Sequence, residues 1–300
     1  MDDRQHADRR RRFHCALSIT AEKKTILGSQ GEQEVARDLE GKVVLITGAS
    51  TGFGRGIASK MAEAGANIVN ADLQEKANPS GFDQKPELTT VQLVQELGSE
   101  ALFVTTNVTK RADVVGAVEA TTERFGRLDI LVNNAGIYRG GKLFHDFTEE
   151  ELDICFDVNV RGCFLAAQEA IKVFLKQGGG GNIVNLVSTA GLQGHPRQSV
   201  YNISKGAAAN LTRCLAIEYG REGIRVNGIC PTYAKTALTR AFADDDTFDE
   251  MFTKSIPLGR WGEVSDVADL AVFLASDKSA YIHGDLIRVD GGETLCRYSV

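Results

Sequence analysis

From Lys42 onward, short apolar runs rich in β-branched residues alternate with longer amphipathic stretches, and this rhythm constrains the fold more than any other feature. The runs are Val43–Thr47, Asn67–Asp72, Ala101–Thr106, Ile130–Val132, Asn182–Val187, Arg225–Ile229 and Leu286–Val289. Between them the spacing predicts helices near 54–65, 88–98, 111–126, 149–177, 199–222 and 264–276. A strand that is apolar throughout must be covered on both faces. Strands alternating with helices pair in parallel through right-handed crossovers. The expected architecture is α/β: a doubly wound parallel sheet of about seven strands with helices on both faces, in one domain over 41–300.

Residues 1–40 lack this period and are expected to form a polar, flexible extension. Its Arg9–Arg12 run reads as a solvated tail in preference to a nuclear or phosphate-binding signal. The formal net charge of -6 argues against nucleic acid as the partner. No apolar run approaches the roughly 18 residues of a membrane span. The six cysteines (Cys15, Cys155, Cys163, Cys214, Cys230 and Cys296) show neither C-x-x-C spacing nor a nearby His cluster. Neither a metal site nor a disulfide framework is expected, and the cytoplasm is the expected compartment. The chain holds 31 glycines and only 5 prolines, a balance that suits backbone approaching something closely more than it suits linkers.

One cluster of those glycines has an address. The run Thr47-Gly48-Ala49-Ser50-Thr51-Gly52-Phe53-Gly54 ends the first strand and opens the first helix. Gly48 permits the tight turn, while Gly52 and Gly54 remove Cβ atoms where a pyrophosphate and the next strand come close. A helix N-terminus offers N–H groups and partial positive charge to that pyrophosphate. In this strand–turn–helix context the glycines point to a dinucleotide site of the Rossmann type, with a ligand-free tight turn as the bland alternative. Asp72 ends the second strand, 18 residues beyond Gly54. A carboxylate there accepts both ribose hydroxyl hydrogens and repels a 2′-phosphate; its bland role is a helix cap. No Arg or Lys precedes Gly52 in the turn or directly follows Asp72, so NAD is expected ahead of NADP, although Arg55 and Lys76 lie close in sequence.

Chemistry points to a second cluster. Tyr201 and Lys205 are four apart on an expected helix and share a face. A free phenol, with a pKa near 10, is a poor base at neutral pH; a neighbouring ammonium and a positive nicotinamide ring favour the phenolate. Tyr201 is then the general base for alcohol oxidation and the acid for the reverse reaction. Ser188 precedes Tyr201 by 13 residues at the carboxyl end of a strand, where ligands bind in open α/β sheets. Its hydroxyl suits holding a substrate oxygen. Asn159 sits inside an expected helix, an unfavourable position for asparagine.

These segments together resemble the single-domain branch of the short-chain dehydrogenase/reductase family. The resemblance rests on TGASTGFG at 47–54, Asn133-Asn134-Ala135-Gly136, Asp157-Val158-Asn159-Val160, Ser188 and Tyr201-Asn202-Ile203-Ser204-Lys205, and it runs from about Lys42 to Gly292. It implies Ser188, Tyr201, Lys205 and Asn159 as catalytic residues. Asn159 would hold a water linking Lys205 to solvent, and Lys205 would hydrogen-bond the nicotinamide ribose. It implies that the cofactor is bound by Gly48, Ser50, Thr51, Gly52, Phe53, Gly54, Asp72, Asn107, Val108, Asn134, Ala135, Gly136, Tyr201, Lys205, Pro231, Thr232 and Thr236, with no metal. Two positions depart from the family pattern: Asn107 stands where Asp is more usual, and Thr232 replaces a glycine that lets backbone pass close to nicotinamide. Ile229 and Thr236 keep the surrounding pattern.

The stretch 233–262 is rich in aromatics and acids and reads either as a lid over an apolar substrate or as a surface helix pair. Gln193, Gly194, His195 and Arg197 are expected to border the pocket. Few charges occur there, which favours a small neutral alcohol or ketone. The insertion Glu75–Glu87, with Pro79, Gly81 and Pro86, reads as an exposed loop. The resemblance implies pairing through the helices at 149–177 and 199–222, giving a homotetramer or homodimer. The expected activity is NAD(H)-dependent interconversion of a secondary alcohol and a ketone. The alternatives are an NADP(H)-dependent biosynthetic ketoreductase and a non-catalytic dinucleotide-binding regulator; intact Ser188, Tyr201 and Lys205 oppose the latter.

Overall fold

Valine, leucine and isoleucine in unbroken succession make β1 (Val43–Thr47), in which every residue is buried. The computed structural model describes residues 37–295, so the Arg9–Arg12 run and most of the expected extension lie outside the described residues. Six further strands follow: β2 (Asn67–Asp72), β3 (Ala101–Thr105), β4 (Ile130–Asn133), β5 (Gly181–Leu186), β6 (Ile224–Pro231) and β7 (Leu286–Val289). They form one sheet in the order β3-β2-β1-β4-β5-β6-β7. Every pairing is parallel. The expected strands are all present: β1, β2 and β7 keep their expected bounds, and the ends of β3, β4, β5 and β6 shift by one or two residues.

The helices are α1 (Gly52–Glu63), α2 (Thr90–Glu96), α3 (Arg111–Phe125), α4 (Glu149–Phe156), α5 (Cys163–Gln177), α6 (Ser199–Tyr219), α7 (Arg240–Ala243), α8 (Asp246–Ser255) and α9 (Val264–Ala275). One differs from expectation. The single helix expected over 149–177 is interrupted by a π-helical turn, Asp157–Gly162, that joins α4 to α5. Side-chain periodicity does not distinguish a widened turn from an ordinary one, and such turns gather at functional sites. Gly162 occupies that turn because a Cβ there would lie 2.7 Å from Val108 Cγ2. The short α7 and α8 fall in the stretch 233–262, where a surface helix pair is one of the two readings. The glycine run at 178–181 forms a defined helix exit: Gly178 caps α5 at φ 73° and Gly181 opens β5.

Alternate residues of each strand feed two cores. Val44 and Ile46 of β1, with Ile130 and Val132 of β4, pack under α1 and α9. Leu45 and Leu131, between them in sequence, face α3, α5 and α6 on the other side. The period of two thus survives inside runs that look uniformly apolar. Among the described residues no helix is long and apolar enough to cross a membrane.

Phe174 of α5 is fully buried in the second core, and a Cβ on Gly181 would run into its ring. Phe174→Ala is expected to cost about 3–5 kcal/mol in urea unfolding followed by circular dichroism. A loss below about 1 kcal/mol would show that this face of the sheet is not packed as described.

Candidate active site

Chain leaving β1 turns to β2 on one side, while β4 lies on the other, so the carboxyl ends of β1 and β4 border a crevice. Asn134, just past β4, ties the two ends. Its Nδ2 donates to the carbonyls of Thr47 (2.9 Å) and Gly48 (2.8 Å). Thr47 Oγ1 accepts in return from the N–H groups of Asn134 (3.0 Å) and Ala135 (3.1 Å). Gly48 takes a left-handed φ of 69°, and a Cβ there would meet Ala135 Cα at 3.0 Å. A Cβ on Gly54 would lie 2.5 Å from Asn134 Nδ2.

A cleft of about 350 Å³ opens along these strand ends. Gly48, Thr51, Gly52, Phe53, Asp72, Asn107, Val108, Asn134, Ala135, Gly136, Ser188, Tyr201, Lys205, Pro231, Thr232 and Thr236 all line it. Three residues of the expected set stand behind the wall. Ser50 is buried, accepts from Asn70 Nδ2 (3.0 Å) and donates to the Gln74 carbonyl (2.5 Å). Gly54 packs the turn against Asn134, and Asn159 braces the helices. Asp72 accepts from the N–H of Ser50 (2.9 Å) and of Leu73 (2.6 Å), which fixes its carboxylate beside the glycine turn.

At the other end, α6 carries Tyr201 and Lys205 on one face. Lys205 is buried and its Nζ donates to the Leu186 carbonyl at 2.8 Å, 5.8 Å from the centre of the Tyr201 ring. Ser188 lies two residues past β5; its Oγ accepts from Ala190 N–H (3.1 Å) and donates to the Pro231 carbonyl (3.4 Å). Asn159, in the π-helical turn, clasps Ile137 with both amide atoms, accepting from its N–H (2.8 Å) and donating to its carbonyl (2.9 Å). Asn159 Nδ2 also donates to Ser204 Oγ (3.0 Å), which donates to the Tyr201 carbonyl (2.8 Å). A Cβ on Gly136 would meet Asn159 Oδ1 at 3.3 Å and Lys205 Nζ at 3.5 Å, so glycine here admits both groups.

Burial pushes the Tyr201 phenol up, and the Ser188 hydroxyl, by hydrogen bonding, pulls it back only in part. Burial lowers the Lys205 ammonium. Desolvation thus moves both groups toward their neutral forms, the opposite sense to the one expected of Tyr201 beside Lys205 and a positive nicotinamide ring. Burial also raises the thiols of Cys163 and Cys230 to about 11, which makes them poor nucleophiles. Among the described residues no cluster of three His, Cys, Asp or Glu side chains suits a metal.

Both departures from the family pattern are absorbed locally. Asn107 Oδ1 accepts from the N–H (3.0 Å) and hydroxyl (2.9 Å) of Thr109. Thr232 avoids the left-handed region, donates its N–H to Val289 and turns its hydroxyl to Glu293. Of the residues expected to border the pocket, His195 does, whereas Gln193, Gly194 and Arg197 do not line it. Arg197 reaches the Gly141 carbonyl instead. Sequence patterning gave no sign of Tyr138 or Gln198, which also face the cleft from irregular segments; Leu238, within the 233–262 stretch, lines it too. Tyr138 packs edge-on against Tyr201 (5.2 Å between ring centres) and Phe242 (5.8 Å). The insertion after β2 is largely exposed, as expected, and it is also tethered: Asp83 binds the turn at Thr51 and Gly52.

A family model described as enoyl-(acyl carrier protein) reductase matches residues 48–294. The 2-dehydro-3-deoxy-D-gluconate 5-dehydrogenase of Dickeya dadantii is 39% identical, covering 85% of this chain and 96% of that protein. Among solved structures, a gluconate 5-dehydrogenase from Burkholderia cenocepacia J2315, in complex with NADP and tartrate, superposes with a TM-score of 0.79 at 34% identity, covering 87% of this chain and 99% of that one. A 3-ketoacyl-(acyl-carrier-protein) reductase from Brucella melitensis, complexed with NADH, superposes with a TM-score of 0.76 at 37% identity, covering 85% of this chain and 99% of that one.

The contact between Gly54 and Asn134 generates a direct test. Gly54→Ala is expected to cost about 1–3 kcal/mol in thermal unfolding, because the added methyl has to displace the Asn134 clamp. The same variant is expected to lose at least tenfold in dinucleotide affinity by calorimetry, and unchanged affinity would separate the turn from the binding cleft.

Proposed function

Because the chain belongs to the short-chain dehydrogenase/reductase family, we propose that this cleft interconverts a secondary alcohol and a ketone by hydride transfer with NAD. The observation that carries the proposal is the convergence of Ser188, Tyr201 and Lys205 at one end of a cleft whose other end is Asp72 and the glycine turn. The residues present suit a dinucleotide. Gly48 and Gly136 let the backbone at the cleft wall pack closely against Ala135, Asn159 and Lys205, and Asp72 is fixed beside the glycine turn, where it would meet a ribose. Asn107 and Val108 suit the adenine, Asn134 to Gly136 the adjoining ribose, and Pro231, Thr232 and Thr236 the nicotinamide end. NAD supplies the hydride acceptor and a positive ring near Tyr201.

The protein's own groups do the rest. Ser188 Oγ orients the substrate oxygen. Tyr201 takes the hydroxyl proton during oxidation and returns one to the carbonyl oxygen during reduction. Lys205, held by the Leu186 carbonyl, provides positive charge on the Tyr201 side of the helix and a hydrogen bond for the nicotinamide ribose. Asn159 is a positioning residue: it fixes the Ile137 backbone and, through Ser204, the turn of α6 bearing Tyr201. That turn also supports a water path from Lys205.

Asp72 favours NAD, because its carboxylate is anchored where a 2′-phosphate would have to sit. The competing reading, an NADP(H)-dependent ketoreductase, draws on the NADP-bound gluconate 5-dehydrogenase, and tighter binding of NADPH than of NADH would establish it. The substrate is inferred to be a neutral molecule with an apolar body. Tyr138, Leu238 and Phe242 line the substrate end, where the cation-forming residues are Lys205, committed to Leu186, and His195. Among the described residues, no arginine lines the cleft to pair with the carboxylate of a sugar acid. The segment 233–262 acts in this proposal as a lid, its Tyr233, Phe242, Phe248 and Phe252 gathered around Trp261. Exposed Phe164 and Leu175 on α5, with Ile203 and Ile217 on α6, support pairing between copies of the chain.

Tyr201→Phe is expected to lower kcat/KM by roughly 10²–10⁴-fold in both directions while NADH still binds. Near wild-type turnover would remove Tyr201 from the chemistry. The raised phenol also sets the sign of the pH dependence. Oxidation needs the phenolate, so its kcat/KM should climb as pH rises, whereas reduction needs the phenol and should fall through the same range. Parallel profiles for the two directions would contradict this role.

A further inference from the structure

The insertion Glu75–Glu87 is fastened to the glycine turn at several points. Asp83 Oδ1 accepts from the Gly52 N–H at 2.9 Å, and Asp83 Oδ2 accepts from the Thr51 hydroxyl. Arg55, buried on α1, holds the next residues by donating to the carbonyls of Gln84 (3.4 Å) and Lys85 (2.9 Å) and to Thr90 Oγ1 (3.2 Å). Thr90 donates in turn to the Ala49 carbonyl at 2.8 Å. On the outer side, the Arg240 guanidinium covers the Phe82 ring at 4.3 Å, linking the insertion to the 233–262 segment. Asp83 is therefore held in place by neighbours before and after it.

This arrangement puts two carboxylates on three consecutive residues of one turn. Asp72 takes the Ser50 N–H, and Asp83 takes the Thr51 hydroxyl and the Gly52 N–H. Thr51, Gly52 and Asp72 all line the cleft. A 2′-phosphate on a ribose beside Asp72 would need donors from this turn and would bring a charge of about -1.5 to -2. It would find those donors taken by acceptors of the same sign. Of the nearby cations, the Arg55 guanidinium is buried and hydrogen-bonded to the insertion's backbone, beside Asp83 and Glu87; Lys85 is paired with Glu96 at 2.7 Å; and Lys76, four residues beyond Asp72, is exposed.

We propose that Asp83 is a second specificity-determining carboxylate, which with Asp72 closes the adenosine end of the cleft to a 2′-phosphate. The inference rests on the proposal that the Asp72 end receives the adenosine ribose. It goes further in giving the insertion a role, which is to deliver a negative charge that the strand–turn–helix unit lacks. The asparagine variant keeps the shape and an acceptor for Gly52 while removing the charge.

Isothermal calorimetry on the full chain tests this with NADH, NADPH, 5′-AMP and adenosine 2′,5′-bisphosphate. Asp83→Asn is expected to lower the NADPH-to-NADH ratio of dissociation constants at least tenfold, with the ratio for the two fragments moving the same way. Asp83→Ser, which also removes the charge, is expected to act in the same direction. If both ratios stay at their wild-type values, or all four ligands weaken in parallel, Asp83 is a loop anchor only and the proposal is overturned. The NAD proposal fails separately, if wild-type protein binds NADPH as tightly as NADH; the change on Asp83→Asn still reads Asp83, whatever the starting ratio.

Discussion

Two hydrogen bonds from Asn134 Nδ2 to the carbonyls of Thr47 and Gly48 set the spacing on which the site depends. They hold β1 and β4 together where the chain has begun to leave in opposite directions. Without that clamp the carboxyl ends could splay, and the glycine turn would lose its fixed distance from Gly136. Backbone donors and acceptors at strand ends have no ladder partner, so side chains have to satisfy them. Asn134 and Thr47 do so reciprocally, and the glycine-turn end of the cleft inherits its position from this knot.

A second polar knot serves the chemical end. Asn159, Ser204 and the Ile137 backbone join the π-helical turn, α6 and the loop after β4. Through them, Tyr201 and Lys205 are held where burial opposes their charged forms. That opposition is useful in a reversible proton carrier. A phenol that ionises only with help from surrounding positive charge stays protonated until the reacting groups are assembled. Asp83 applies the same logic at the far end, with charge used there for exclusion.

The sheet was legible because its code is local: β-branched runs, regular spacing and helix-length gaps. Tyr201 and Lys205 were legible because four residues on a helix always share a face. The roles of Asn159 and Asp83 were less so. Asparagine at 159 announced something unusual, but its clasp on Ile137 spans 22 residues and uses a turn that periodicity does not reveal. Asp83 reaches Gly52 across 31 residues from a segment without any period. The phenol's burial was not legible either, since sequence shows that Lys205 is near but not how much water burial removes. Side chains from irregular segments, such as Tyr138, entered the site with no signal at all.

The central claim is that this cleft moves a hydride from a carbinol carbon to NAD with Tyr201 handling the proton. The most direct measurement incubates the chain and NAD with a panel of apolar secondary alcohols deuterated at the carbinol carbon, and weighs the reduced cofactor by mass spectrometry. The account predicts NADH heavier by about one mass unit, formed in step with ketone. Ketone accompanied by unlabelled cofactor, or neither product from any alcohol in the panel, would contradict it.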